Sequence, residues 1–438
     1  MKKFVSMFLV VFLLALNGPM TAMAAWGTEV ILHPGLPISP IVFGTAVAID
    51  GDNVVVLDPG ETAPTDPAYL RFYKKNGTLI DSKNLGSTSA MSVYGHTVDI
   101  DGDYAVVGMP YTTVGGRTNR GSINIFKTAD GGANWDAGTT IDCPVDESGA
   151  FGESVAISGD TIVVGADWGR TNYKGSAYIY KLNAGTWGLE ATITPTIDDW
   201  SQFGWDVGIS GDYVIIGAPY YNSYQGLVQI YKRTGTTWAQ NGSNLLGEQQ
   251  YDEYGFSVSI DGTKALIGAH YFPDYNSYGK VYFYSGPDTW SLIDSFVNTL
   301  HWDEFGTHVE ISGNYAIVGE LYGEPPASPE NTDTGAAYVY KFDGSNWAQD
   351  SAFYADTGAT DSKYGWTVDI DGNSVTKTLI IGQYNNSGGY AYLYSEAGGG
   401  GGGVPEFSDY LFLLTIIIAT GLMVKTIPNI SGNSTARA

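Results

Sequence analysis

The sequence holds a single cysteine, Cys143, in 438 residues, so no intramolecular disulfide can brace the fold and stability must come from packing and hydrogen bonds. Basic side chains are also scarce. The 21 Lys and Arg face 46 Asp and Glu, a formal net charge of −25. A surface this acidic repels phosphate backbones, which excludes nucleic acid as a partner. The five histidines (His33, His96, His270, His301 and His308) show no metal-ligand spacing. No Gly-x-Ser-x-Gly elbow, phosphate loop or Cys-His pairing occurs either. Disorder is excluded by composition, because only 15% of residues are charged and 43% are hydrophobic, ample material for a core.

Long apolar runs are confined to the two ends. Met1-Lys2-Lys3 precedes an apolar stretch from Phe4 to Leu16, and Ala22-Met23-Ala24 offers the small alternate residues that a signal peptidase accepts. Residues 1–24 therefore read as a signal peptide, too short in its apolar part to be a comfortable membrane anchor. Its removal takes away Lys2 and Lys3 and moves the net charge from −25 to about −27. At the other end Gly398 to Gly403 form a flexible linker. Val404-Pro405-Glu406-Phe407 follows, then an apolar run from Tyr410 to Val424 and Lys425. Residues 404–438 resemble the C-terminal sorting signals of prokaryotic surface proteins processed by exosortase or archaeosortase enzymes, in which a Pro-Glu motif (here Pro405 and Glu406) precedes a membrane helix and a basic tail. Phe407 and the sparse tail cations depart from that pattern, and an uncut transmembrane anchor is the alternative. Either reading places the protein on the outer side of the cell envelope, membrane-tethered or processed.

Residues 25–397 repeat one unit seven times. Phe/Tyr-Gly-x-x-Val-x-Ile-x-Gly begins at Phe43, Tyr94, Phe151, Phe203, Tyr254, Phe305 and Tyr364. Units of 51 to 59 residues have the length of a four-stranded propeller blade. Val-x-Ile alternation makes strand one, with a tight Asp-Gly or Ser-Gly turn after it. A continuous apolar run such as Val214-Ile215-Ile216-Gly217 makes a strand two covered on both faces. Strand three is aromatic and alternating, and strand four opens at Trp135, Trp187, Trp238, Trp290 or Trp347. The last unit lacks that tryptophan strand, whereas Trp26-Gly27-Thr28-Glu29-Val30-Ile31 reads like one without a home. The expected fold is thus all-β, a seven-bladed propeller of four-stranded antiparallel blades in which the N-terminal strand closes the last blade and leaves no open edge.

These motifs resemble FG-GAP repeats, the units of the integrin alpha-subunit propeller and of many prokaryotic surface proteins; Phe203-Gly204 with Gly217-Ala218-Pro219 carries the full signature. The resemblance implies a surface adhesion or ligand-binding role with a protein or carbohydrate partner. Integrin-type repeats also carry a calcium loop. Here a plain hairpin replaces it, because Asp99 of the Asp99/Asp101/Asp103 alternation sits inside strand one, so no cofactor or metal is expected. Thr128 to Trp135 resembles the Asp-box turn of sialidases, a structural turn, but the six arginines are scattered rather than clustered to grip a carboxylate. The protein is therefore not expected to be an enzyme. A polysaccharide-active hydrolase using two carboxylates and a structural surface-layer component are the alternatives.

Topology places the binding face. In an antiparallel meander, the short loops after strands one and three share one face and the long, varied loops after strands two and four share the other. The varied loops carry the candidate residues. Trp168, Tyr173, Tyr220, Tyr221, Tyr224, Tyr271 and Tyr275 follow strand two, and Asp198, Asp199, Trp200, Asp252, Glu253, Trp302, Asp303 and Glu304 lead into strand one. Aromatics and carboxylates on a rigid scaffold suit carbohydrate or protein ligands. Trp205, Phe256 and Trp366, directly after the Phe/Tyr-Gly, share parity with the core Val and Ile and are expected to pack between blades.

Overall fold

The computed structural model describes residues 26–27, 29–33, 42–60, 67–87, 91, 97–169, 172–197, 199–273, 277–287, 289–298, 303–323, 334–355, 362–384 and 389–396. Residues 1–24, expected as a leader, the glycine run 398–403, and residues 404–438 with Pro405 and Glu406, expected as a sorting signal, lie outside these residues, as do Asp198, Tyr275 and Trp302. Among the described residues no helix is long and apolar enough to cross a membrane.

Seven antiparallel sheets form the ring, six of them built on four-stranded meanders in sequence order and the seventh on three consecutive strands and one from the N-terminus. Blade 1 runs through Ala46–Asp50, Asn53–Asp58, Pro67–Lys74 and Leu79–Ser87. The first strands of blades 2 to 7 are Val98–Asp101, Val155–Ser158, Val207–Ser210, Ser257–Asp261, Phe305–Ser312 and Tyr364–Asp371. Blade 4 adds a two-residue strand, Leu245–Leu246, against its third strand. Blade 2 departs from the expected opening of strand four at tryptophan. There Trp135 makes only a bridge to Thr128, and the strand begins at Thr139. The turn between them folds on itself. Thr128 Oγ1 accepts from Gly132 N–H at 2.9 Å and Asp130 accepts from the backbone and side chain of Asn134, which holds the Asp130 carboxyl down to about 2.

The last blade is completed from the other terminus. Val30–Leu32 pairs antiparallel with Tyr390–Ser395 in the register Val30 to Leu393, Ile31 to Tyr392 and Leu32 to Ala391, and Trp26 bridges Glu396. Alternation decides which residues of this strand matter. Leu32 is 1% exposed and Ile31 is 42% exposed.

The core consists of seven apolar layers, each between two consecutive blades. Val106, Ile123 and Ile125 of blade 2 meet Val155, Ile157 and Tyr178 of blade 3, and so on round the ring until Leu32, Ile380 and Leu393 of blade 7 meet Val47, Ile49 and Val54 of blade 1. Strand two is apolar without alternation because each of its faces belongs to a different layer.

Two features at the inner strands lock blade to blade. The glycine ending strand two approaches the next blade's Phe/Tyr-Gly. A Cβ on Gly108, Gly165, Gly217, Gly268, Gly319 or Gly382 would lie only 1.9 to 2.3 Å from the carbonyl oxygen of Gly152, Gly204, Gly255, Gly306, Gly365 or Gly44 respectively. Both glycines of the repeat signature thus describe one contact between neighbouring backbones, with no space for a side chain. The turn after strand one supplies the second lock. The side chain of Asp50, Asp101, Ser158, Ser210, Asp261, Ser312 or Asp371 accepts the turn-glycine N–H of the following blade at 2.5 to 3.1 Å, and Asp371 accepts from Gly51 to complete the circle. What reads as a hairpin turn is also a closed circuit of inter-blade hydrogen bonds.

Candidate functional site

The propeller offers two concave places, the central channel and a groove on the long-loop face. The channel, about 250 Å³, is lined by all seven first strands. Its acids are already in use. Asp99 accepts the N–H of Ile157 at 2.7 Å, Asp206 that of Val258 at 2.6 Å and Asp369 that of Ile49 at 2.6 Å, each in the next blade. Burial pushes the carboxyls of Asp99, Glu310 and Asp369 above the usual range, and their mutual repulsion adds to it. They act as struts between strands. Among the described residues no three His, Cys, Asp or Glu side chains converge as metal ligands.

The groove, about 680 Å³, is lined by Trp168, Tyr173, Asp199, Trp200, Gln202, Tyr220, Asn222, Ser223, Tyr224 and Glu253. Four loops build it, one of them the segment leading into blade 5, which carries Glu253. Trp168 and Tyr173 come from the connection between Thr161–Ala166 and Ser176–Asn183 in blade 3, and Asp199, Trp200 and Gln202 from the segment leading into blade 4. Tyr220 to Tyr224 follow Tyr213–Ala218 in blade 4 and include a single helical turn, Tyr221–Tyr224, with left-handed Asn222 and Ser223 inside it.

A recurring device fixes the backbone of these loops. Residue pairs in left-handed backbone, Tyr173 with Gln202 and Tyr224 with Glu253, are joined by an N–H···O=C bond of 3.0 and 2.8 Å from the second residue to the first. Asn119 with Ala150 and Ser277 with Glu304 repeat the arrangement elsewhere in the ring, so the backbone belongs to the repeat and only the side chains are particular to the groove. Trp200, 60% exposed, stacks on Tyr173 with centroids 4.7 Å apart and planes at 23°. Tyr224 contacts Tyr220 at 5.1 Å and stacks on Tyr251 at 6.0 Å. Asp199 is held below the usual carboxylate range by hydrogen bonds from Asn172 at 2.7 Å and from Lys174, whose Nζ lies at 3.3 Å. Glu253 lies 3.3 Å from His270 Nε2, both buried.

Seven of the fifteen loop residues singled out from sequence meet here: Trp168, Tyr173, Asp199, Trp200, Tyr220, Tyr224 and Glu253. Others do not line the groove. Tyr221 turns inward against the layer between blades 3 and 4. Asp252 is fully buried, accepts the Gln249 N–H at 2.9 Å, and is pushed up to about 6 by burial. Asp303 is buried and accepts from Asn298 at 3.0 Å. Tyr271 packs on His270 at 4.1 Å, and burial raises the half-buried Glu304 above its ordinary range. Trp205 and Phe256 meet across the blade boundary at 5.2 Å, as their parity requires, and Trp366 contacts Tyr384.

Sequence reasoning did not single out Gln202, Asn222 and Ser223, whose amide and hydroxyl groups add to the groove's hydrogen-bonding capacity. It also missed a buried pair of acids. Asp167, fully buried, is raised well above the carboxylate range first by burial and then by the charge of Glu153, itself buried. The signal lay in the third position of Gly-Ala-Pro, where Pro219 of blade 4 is replaced by Asp167 in blade 3 and His270 in blade 5.

This geometry defines a seven-bladed propeller closed by its N-terminal strand and built on glycine contacts between blades. Four segments, residues 145–180, 187–231, 247–284 and 299–340, match the FG-GAP repeat family model. The chain thus carries FG-GAP repeats, and those segments include every residue of the groove. No curated protein matches the chain.

Proposed function

We propose that this protein is a binding module, not an enzyme, and that the groove between blades 3 and 5 takes carbohydrate. The observation that carries the reading is the solvent-facing stack of Trp200 on Tyr173 beside the amide, hydroxyl and carboxylate groups of Gln202, Asn222, Ser223 and Asp199. Flat rings pack against the apolar face of a sugar, and short polar side chains on fixed loops accept and donate to its hydroxyls. The leader and the Pro-Glu segment add the setting: a protein exported and held at the cell surface, where such a groove serves adhesion or capture.

Glycan-array binding of the purified protein tests the assignment. The native protein should label a restricted set of glycans, and Trp200→Ala should lose at least tenfold in affinity with an unchanged melting temperature. Retention of every glycan by Trp200→Ala would place the site elsewhere. Binding to surface protein that survives enzymatic deglycosylation would support a protein partner, and release of reducing ends from a bound polysaccharide would support the hydrolase.

A further inference from the structure

We infer that the ligand is an extended, uncharged polysaccharide chain lying along an arc of aromatic rings that runs past the groove from blade 2 to blade 6. The inference rests on the carbohydrate reading of the groove and adds the length and charge of the chain. The third residue after the strand-two glycine is aromatic in five consecutive blades: Tyr111, Trp168, Tyr220, Tyr271 and Tyr322 follow Gly108, Gly165, Gly217, Gly268 and Gly319. The five glycines are equivalent in space, since each meets the next blade's Phe/Tyr-Gly carbonyl in the same way. The rings therefore recur at one height on the long-loop face.

Each of the five is half-buried. Ring closure does not call for them. The matching position is Gly60 in blade 1, where Leu57 stands in for the glycine, and Asn385 in blade 7. Neighbouring rings connect the arc. Tyr111 lies 5.7 Å from Trp168, and Trp168 and Tyr220 are both walls of the groove. Between Tyr220 and Tyr271 the ring contacts pass through Trp205 at 5.5 Å, Phe256 at 5.2 Å and His270 at 3.8 and 4.1 Å, all buried, so these three hold the two platforms in place and do not themselves face the ligand. Lys363 lies over Tyr322 at the far end. One sugar ring covers one aromatic ring, so five platforms in successive blades match a polymer.

Charge narrows the polymer further. The chain carries −25, and on this face Arg117 pairs with Asp146 and Lys174 with Asp199. Lys363 over Tyr322 adds a cation at the blade 6 end, so a uronate or sulfated chain would meet net repulsion along the rest of its length.

Calorimetric titration of the purified protein with cello- and chito-oligosaccharides of one to eight units, and with oligogalacturonates of the same lengths, tests the proposal. In at least one neutral series the hexamer should bind tenfold or more tightly than the dimer, and every oligogalacturonate tenfold or more weakly than its neutral counterpart. Tyr111→Ala and Tyr271→Ala should bring the hexamer-to-dimer ratio toward one; Tyr111→Leu and Tyr271→Leu, which keep apolar bulk but lose the ring, should do the same if the alanine variants fold poorly. A hexamer that binds no better than the dimer, a ratio unmoved in the leucine variants, or preference for oligogalacturonate overturns the arc while leaving the groove assignment standing. Failure of every neutral oligosaccharide to bind, at all lengths, overturns both.

Discussion

Leu32 is the residue on which closure of the ring can be tested most sharply. It belongs to a strand of three residues that reaches the last blade from the far end of the sequence, and its side chain enters the layer shared by blades 7 and 1, among Phe43, Val54, Tyr73 and Ile380. Truncation of a buried leucine costs about 2–5 kcal/mol, the lost transfer energy plus the cavity left behind. At 1% exposure, in a layer bounded by two rigid sheets, Leu32→Ala should fall near the middle of that range, about 3 kcal/mol. Ile31 is the internal control, because the same strand turns it outward; Ile31→Ala should cost less than about 1 kcal/mol. Urea unfolding followed by tryptophan fluorescence reads both. Removal of residues 26–33 altogether should bare the edge of Tyr390–Ser395 and produce aggregation. Equal effects at positions 31 and 32, or a truncated protein that unfolds like the parent, would refute the closure argument.

The inter-blade circuit predicts unequal acids in the short turns. Asp371→Ala removes the acceptor of the Gly51 N–H and should cost about 1–2 kcal/mol, whereas Asp212→Ala, exposed in the equivalent turn of blade 4, should stay within about 0.5 kcal/mol by chemical denaturation. Glu320 predicts a pH dependence. Burial pushes its carboxyl up to about 8, although Tyr338 and Asn298 hydrogen-bond to it. The folded state then keeps a proton that the unfolded chain gives up near pH 4.5, so stability falls as pH rises from about 4.5 to about 8. Glu320→Gln should flatten that decline in melting temperature between pH 5 and 8; an unchanged slope would assign the pH dependence to other groups. If the Pro-Glu segment is a processing signal, mature protein from the native host should end near Val404, and Pro405→Ala with Glu406→Ala should leave full-length protein in the membrane by mass spectrometry.

Periodicity determined the fold class by itself. Val47, Val98, Val155 and their Ile partners recur in phase at blade length, and four-stranded units of that kind bury both faces only by stacking on one another. Even the closing strand was legible, because a tryptophan-led segment was missing at one terminus and spare at the other. The division into a short-turn face and a long-loop face followed from counting connections in a meander. That reasoning put Trp168, Tyr173, Trp200, Tyr220 and Tyr224 on one face, and the structure brings them round one groove, because strand direction alternates in an antiparallel meander and fixes the end at which each loop emerges.

Tertiary structure decided everything that depends on which blades are neighbours. Asp50 and Asp371 read as turn formers, and only the ring shows that their partners, Gly102 and Gly51, lie one blade on. Asp252 and Glu253 are adjacent and alike in sequence, yet Asp252 turns in to cap Gln249 while left-handed Glu253 reaches the groove. The fate of a loop side chain depends on backbone torsions set by contacts with the next blade, and no pattern within one repeat encodes them. The groove itself is assembled from four segments more than 80 residues apart at their extremes, Trp168 to Glu253, and it exists only because the apolar layers hold blades 3, 4 and 5 together.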